Sequence, residues 1–141
     1  MALLIVLVMN PTKGAKNMPA IVLQTDGLQD YIRGQLEIRG DTEIYRGEIE
    51  EIRKYGEGEF ADLVVQFKWL AKGQGFPTPP VRWVIESDLL YRIPLSTARV
   101  DDVGDGRITI LSLEGGMLYR LFLPGDVILD PKKVEGLVLP E

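Results

Sequence analysis

Alternation of polar and apolar residues constrains the fold of this chain more than any other feature. In residues 60–72 the apolar positions that alternate are Leu63, Val65, Phe67, Trp69 and Ala71. Because successive side chains of a strand point to opposite faces, this spacing predicts a half-buried antiparallel strand with all five on one face. No segment longer than about ten residues carries apolar residues at the 3.6-residue repeat of a helix, so long helices are excluded.

Further strands are predicted along most of the chain, separated by turns rich in Gly and Pro. The irregular spacing of Ile44, Ile49 and Ile52 predicts one long strand bent by a bulge near Glu50 and Glu51, with a helix as the alternative. Later strands are predicted at residues 81–85, 89–100, 107–113, 117–123 and 127–129. Residues 101–106 are predicted as a turn, and the one helix expected is short, covering residues 26–32 with Asp26 as its cap.

The length and composition of the chain are those of a single globular domain. It has 141 residues, of which 45% are hydrophobic and 26% charged. Residues 45–49 and 117–122 resemble, in their pattern only, strands of small SH3-like barrels. A two-sheet sandwich would also use many short strands, but a closed sheet has no exposed edges. We therefore predict an all-β fold, a single small antiparallel β-barrel (SH3-like or related), over residues 18–141.

An unbroken apolar run, residues 2–9, precedes the predicted barrel. It is too short for a membrane helix, which needs roughly 20 residues, and its basic neighbours Lys13 and Lys16 follow the run instead of preceding it as in a secretion signal. We expect no membrane span and a cytoplasmic protein. The run is predicted to be a strand followed by a linker, so that residues 1–17 form a separate segment. Alternatively, the protein starts in effect at Met18 and these residues are an extension.

The chain contains neither histidine nor cysteine. Their absence excludes Ser-His-Asp triads, thiolate zinc sites, disulfides and cysteine nucleophiles. We therefore expect a protein that is not an enzyme and that holds no cofactor or metal. The alternative, a carboxylate-based enzyme or divalent-metal site, would use Asp101, Asp102 and Asp105, but their spacing does not match a calcium-binding loop and is more typical of a turn.

Acidic residues outnumber basic ones, and the net charge of −5 argues against a nucleic-acid partner. The acids concentrate in residues 37–62, which hold nine acids and four bases. The arginines of the remaining chain are scattered among apolar residues. No basic run longer than Lys132-Lys133 occurs.

Aromatic residues between positions 67 and 91 supply the candidate contact residues. We expect ligand or partner contacts from Phe76, Trp69 and Trp83, supported by Arg82 and Lys72. The alternative is that the two tryptophans fill the core and that Phe76, in a Gly/Pro loop, folds back to close the end of the barrel. The predicted function is a non-catalytic protein-binding or self-assembly module, in which residues 2–9 add a strand to a neighbour. The first alternative is single-stranded nucleic-acid binding through the aromatics and Arg/Lys.

Overall fold

A computed structural model of the protein describes residues 5–8, 20–23, 25–57, 61–104, 107–112 and 115–139. The strands in these ranges are β1 (Ile5–Val8), β2 (Ala20–Leu23), β3 (Gln35–Arg39), β4 (Ile44–Tyr55), β5 (Asp62–Gln74), β6 (Arg82–Ile85), β7 (Leu90–Pro94), β8 (Ala98–Gly104), β9 (Arg107–Ser112), β10 (Leu118–Phe122) and β11 (Val134–Glu135). The helices are α1 (Thr25–Leu28) and the 3-10 turns Gln29–Tyr31, Leu95–Thr97 and Pro131–Lys133. None of these described helices has the length and apolar character that crossing a membrane requires.

The predicted apolar strand near the start of the chain is present as β1, and its partner is β2 of the same chain. The two form an antiparallel pair in which Ile5 lies opposite Leu23 and Val8 opposite Ala20. The predicted linker, residues 10–17, and Met18 lie outside the described residues. Pairing with β2 occupies one edge of β1.

The other nine strands form one sheet, built around the long strand β5. The strand order is β11-β6-β5-β4-β3-β10-β9-β8, and β7 also pairs with β5. One edge of β5 pairs with β4, whereas the opposite edge is shared. Residues 62–66 of that edge pair with β7, and residues 71–74 pair with β6. The sheet is therefore forked at β5.

The all-β prediction is confirmed, but the prediction of a closed antiparallel barrel is not supported. The pair β11–β6 is parallel, so the sheet is mixed. In the described residues no ladder joins β8, at one end of the strand order, to a strand at the other end. Alternation in a sequence indicates which face of a strand is apolar. It carries no information on whether the outermost strands bond to each other, and so the barrel prediction went further than the pattern allowed.

The open sheet curls around one core. Tyr91 of β7 meets Tyr119 of β10 edge-to-face, with ring centroids 5.9 Å apart. Three strands lie between them in the strand order, so a flat sheet would hold them about 19 Å apart. The enclosed cluster, called the main core here, receives buried side chains from most strands, among them Leu36, Val65 and Ile110.

A second cluster, called the outer cluster here, lies against the other face of the sheet. It consists of Ile44, Trp69, Ala71, Trp83, Leu129 and Val134. Leu129 and Val134 belong to the C-terminal segment, defined here as residues 126–139, which therefore packs onto this face. The strand predicted at residues 127–129 does not form, because this part of the segment bonds to side chains instead of a neighbouring strand.

The apolar series of β5 is divided between the two clusters, which corrects the prediction of a single face. Its first three members, residues 63, 65 and 67, lie in the main core, whereas Trp69 and Ala71 lie in the outer cluster. The switch coincides with an irregularity in the β4–β5 ladder, where the register passes from Glu48 opposite Trp69 to Ile49 opposite Phe67. An extra residue on one strand reverses the faces beyond it. The predicted bulge in β4 is confirmed, and the alternative helix is wrong.

Two smaller predictions also differ from the structure. The helix begins at Thr25 and is continued by a 3-10 turn, so that Asp26 lies within it and is not its cap. Strand β8 extends through Asp101 and Asp102, which were predicted in a turn. Asp102 pairs with Thr109 of β9, so cross-strand pairing overrides the low strand propensity of aspartate. The β8–β9 ladder reaches the Gly104–Arg107 pair, and the predicted tight turn at Asp105-Gly106 lies outside the described residues.

We predict that the buried Tyr119, which pairs with the half-buried Tyr91, makes the fold sensitive to alkaline pH. Burial raises the pKa of Tyr119 above its ordinary value of 10.0, and the hydrogen bond with Tyr91 raises it further. The unfolded chain therefore ionises Tyr119 first, and stability should fall as pH rises beyond about 10. Urea unfolding from pH 8 to pH 11 measures this decline.

The matched variants are Tyr119→Phe and Tyr55→Phe, since Tyr55 is exposed. Tyr119→Phe should be less stable by about 1 kcal/mol at neutral pH, where the hydrogen bond is lost, and should decline less steeply above pH 10. Tyr55→Phe should show the same dependence of stability on pH as the native protein. An equally steep decline of the free energy of unfolding above pH 10 in the native protein and in Tyr119→Phe would contradict the prediction.

Candidate functional site

The outer face of β3 brings together charges that are far apart in the sequence. Glu37 lies directly opposite Arg46 of β4 on one side and Arg120 of β10 on the other. Leu36 and Ile38, its neighbours in β3, point into the main core, so Glu37 points to the opposite face. The three charged residues thus form a row across three adjacent strands.

Glu37 is a buried carboxylate surrounded by guanidinium groups. Its side chain is 2% exposed. Both Nε and Nη2 of Arg46 lie 2.9 Å from Oε2, while Nε of Arg120 donates to Oε1 at 3.0 Å and its Nη2 bonds to the same oxygen. Nε of Arg39 lies 3.8 Å from Oε1. We call Glu37, Arg39, Arg46 and Arg120 the guanidinium cluster.

The C-terminal segment is attached to this face through its main chain. Oε1 of Gln35 accepts hydrogen bonds from the backbone nitrogens of Ile128 and Leu129 at 2.8 and 2.9 Å, and its Nε2 donates to the carbonyl of Leu129 at 2.9 Å. Arg46 Nη1 donates to the carbonyl of Ile128 at 2.9 Å. Buried polar side chains of the sheet therefore satisfy backbone groups that have no strand partner.

Three of the predicted contact residues meet in or beside the outer cluster. Trp69 and Trp83 are 1% and 9% exposed, and the partly buried Phe76 packs against the outer cluster. The guanidinium of Arg46 lies over the Trp83 ring at 5.0 Å, and that of Arg39 lies over Phe76 at 5.4 Å. A nucleic-acid base would need an exposed ring face, which neither tryptophan offers.

The other two predicted contact residues lie apart from that group. Arg82 is exposed, and its Nε lies 3.4 Å from both Glu135 and the side-chain oxygen of Gln74. Lys72 pairs with Tyr45, whose ring packs against the main core, so it lies on the opposite side of the sheet from the outer cluster. The five residues do not form one surface.

A separate cavity of about 200 Å³ opens beside the main core. We call it the tyrosine pocket. Its lining residues are Glu43, Tyr45, Leu70, Glu86, Asp88, Leu90, Tyr91 and Met117. They come from the β3–β4 connection, β4, β5, the β6–β7 connection, β7 and the residue before β10, so the curl of the sheet creates the pocket. Three carboxylates and two phenol rings thus line one opening.

The charges around the tyrosine pocket act on Tyr45. Burial raises the pKa of Tyr45, and the carboxylates of Glu43 and Glu86 raise it further, while Lys72 opposes them. The ammonium nitrogen of Lys72 lies 5.7 Å from the ring centroid. The phenol ring of Tyr45, beside the carboxylates, is therefore already in contact with a cation of the same chain, the Lys72 ammonium group.

The carboxylates of the structure do not suggest a metal centre in the part of the chain described. No group of three or more Asp and Glu side chains there could hold a metal ion. Of the alternative metal site, Asp101 and Asp102 lie in β8, and Asp105 lies outside the described residues. In comparisons with protein-family models, with curated proteins and with solved structures, no match to this chain was found.

Sequence reasoning missed the guanidinium cluster. Arg120 is 83 residues from Glu37, and only the sheet topology makes them neighbours. The available signal was the alternation in β3, where Gln35, Glu37 and Arg39 share one face. That alternation indicates that one face of β3 is polar. It does not indicate that another segment of the chain covers this face.

We predict that Glu37→Gln destabilises the protein because three guanidinium groups lose the carboxylate between them. The expected loss in the free energy of unfolding is about 2–3 kcal/mol, smaller than for a fully buried pair because the arginines are partly exposed. Urea unfolding at neutral pH measures it. The control is Glu51→Gln, which removes the exposed pair with Arg53 and should cost no more than about 0.5 kcal/mol. Equal losses in the two variants would contradict this assignment.

Proposed function

We propose that this protein is a non-catalytic protein-binding module that accepts a basic side chain of its partner in the tyrosine pocket. The observation that carries the proposal is the position of Lys72, whose ammonium group lies on the ring of Tyr45 beside the pocket. The ring thus already accepts one cation, and the carboxylates that line the pocket beside it would attract a second one. The ligand class is therefore a Lys or Arg side chain.

The lining of the pocket matches both parts of such a side chain. Leu70, Leu90 and Met117 offer apolar contact to the methylene stem, while the carboxylates face the charged head. A cation over a phenol ring gains about 0.5–1 kcal/mol at an exposed site and more when water is excluded. Lys72 contributes one positive charge beside three carboxylates, which leaves the surroundings of the pocket negative.

The chemistry of the pocket favours an organic cation over a metal ion. A divalent metal ion needs several oxygen ligands converging on one point. The described carboxylates provide no such group, and rings and aliphatic side chains line the space between them. The proposal of a function without catalysis also rests on the absence of histidine and cysteine from the sequence.

The test is an NMR titration of the full chain with N-acetyl-arginine amide, and with N-acetyl-glutamine amide as the uncharged probe. The arginine derivative should shift the backbone amide signals of Tyr45, Glu86 and Tyr91 in a saturable way. The double variant Glu43→Gln/Glu86→Gln should weaken binding by about tenfold, since two of the charges that face the ligand are removed. Glu57→Gln, an exposed acid outside the pocket, is the control and should leave affinity unchanged. Equal binding of both probes, or an equal loss in the control, would overturn the proposal.

Self-association through β1 is a second candidate, favoured by the size of the β1–β2 sheet. Within the described residues this sheet has only two strands, and an isolated two-stranded sheet is marginally stable in water. Pairing of β1 with the same strand of a second copy would give four strands, with each chain contributing the same edge.

The expected outcome is a dimer that forms reversibly as concentration rises. Light scattering of the full chain measures it, and Val6→Pro removes a backbone donor within β1. The variant should shift the equilibrium to monomer. A full chain that stays monomeric over the whole concentration range would exclude this candidate.

A further inference from the structure

The guanidinium cluster holds more positive charge than its carboxylate neutralises. Within the described part of the chain, the ion pairs of Arg39, Arg46 and Arg120 all end on Glu37. One carboxylate therefore faces three guanidinium groups, which leaves two positive charges. This excess occurs in a protein whose net charge is −5.

The two oxygens of Glu37 divide the cluster into a covered side and an open side. Arg46 binds Oε2, and its Nη1 is used by the carbonyl of Ile128 in the C-terminal segment. Arg39 and Arg120 both approach Oε1, so the two side chains converge on one corner. They are also the more exposed members, at 40% and 28% of their side-chain surface. The unneutralised charge thus lies where solvent reaches it.

The guanidinium groups at this corner are held in place before any ligand arrives. Arg39 rests on the ring of Phe76, and its Nε is buried without a hydrogen-bond partner. Arg120 bonds to Glu37 through Nε and Nη2, which leaves the donors of Nη1 available. Fixed donors lose little conformational freedom when they bind, and a planar guanidinium presents its N–H groups as a fork that suits oxyanions.

We infer that the corner between Arg39 and Arg120 is a binding site for a phosphate group. A phosphate dianion matches the excess of two positive charges, whereas a single carboxylate would neutralise only half of it. Phe76 forms one wall of the site, which assigns a role to the loop aromatic that the sequence singles out. The site is independent of the tyrosine pocket, because Tyr45 lies on the main-core side of the sheet and Glu37 on the other.

The experiment is a titration of the full chain with inorganic phosphate at constant ionic strength, followed through backbone amide and arginine Nε–H signals in NMR. Saturable shifts should appear at Arg39 and Arg120. Arg39→Gln should weaken phosphate binding by about tenfold, the usual effect of losing a charge-assisted hydrogen bond. Acetate, a monoanion, should bind at least about tenfold more weakly than phosphate to the native chain.

Two further variants keep the outcome decisive. Arg53→Gln removes an exposed arginine paired with Glu51 outside the cluster and should leave phosphate affinity unchanged. Arg120→Lys keeps the positive charge but loses the planar set of guanidinium N–H donors. The affinity for phosphate should therefore fall while the chain stays folded. The inference is overturned if phosphate causes no saturable shift at the corner, if acetate binds equally well, or if Arg53→Gln weakens binding as much as Arg39→Gln.

Discussion

The buried carboxylate of Glu37 connects strands that are far apart in the sequence. Its ion pairs join β3 to β4 and β10, and Arg46 extends the connection to the C-terminal segment. A buried ion pair adds little net stability, because desolvation offsets most of the attraction. Its effect is on specificity. A slip of one residue in β3 would move Glu37 into the main core and Leu36 out of it, so only one register satisfies both residues.

The two faces of the sheet are used for different purposes. The inner face curls around an apolar core and leaves the tyrosine pocket beside it, where carboxylates and phenol rings meet. The outer face carries the excess positive charge and is partly covered by the C-terminal segment. A protein with net negative charge thus presents an acidic pocket on one side and a basic corner on the other. Opposite charges on opposite faces would allow the two proposed ligands to bind without competing.

The sequence was a good guide to strands and a poor guide to the site. Strands β4, β5, β9 and β10 were predicted close to their observed positions, since each carries alternation or a clear turn signal. The prediction that the alternating apolar residues of β5 share one face was wrong, because the extra residue near Lys68 does not change the apolar pattern of the sequence. The three predicted contact aromatics meet in or beside the outer cluster, whereas Lys72, which is close to them in sequence, lies on the other side of the sheet.

By itself, the sequence determined the fold class, the bulge in β4 and the absence of histidine and cysteine chemistry, because periodicity, turn residues and composition are local properties. Only the tertiary structure decided that the sheet stays open, that the C-terminal segment covers its outer face, and that Arg39 and Arg120 converge on the same oxygen of Glu37. Those features depend on which strands become neighbours. Strand order is set by the packing of the whole chain and leaves no periodic signal in any one segment.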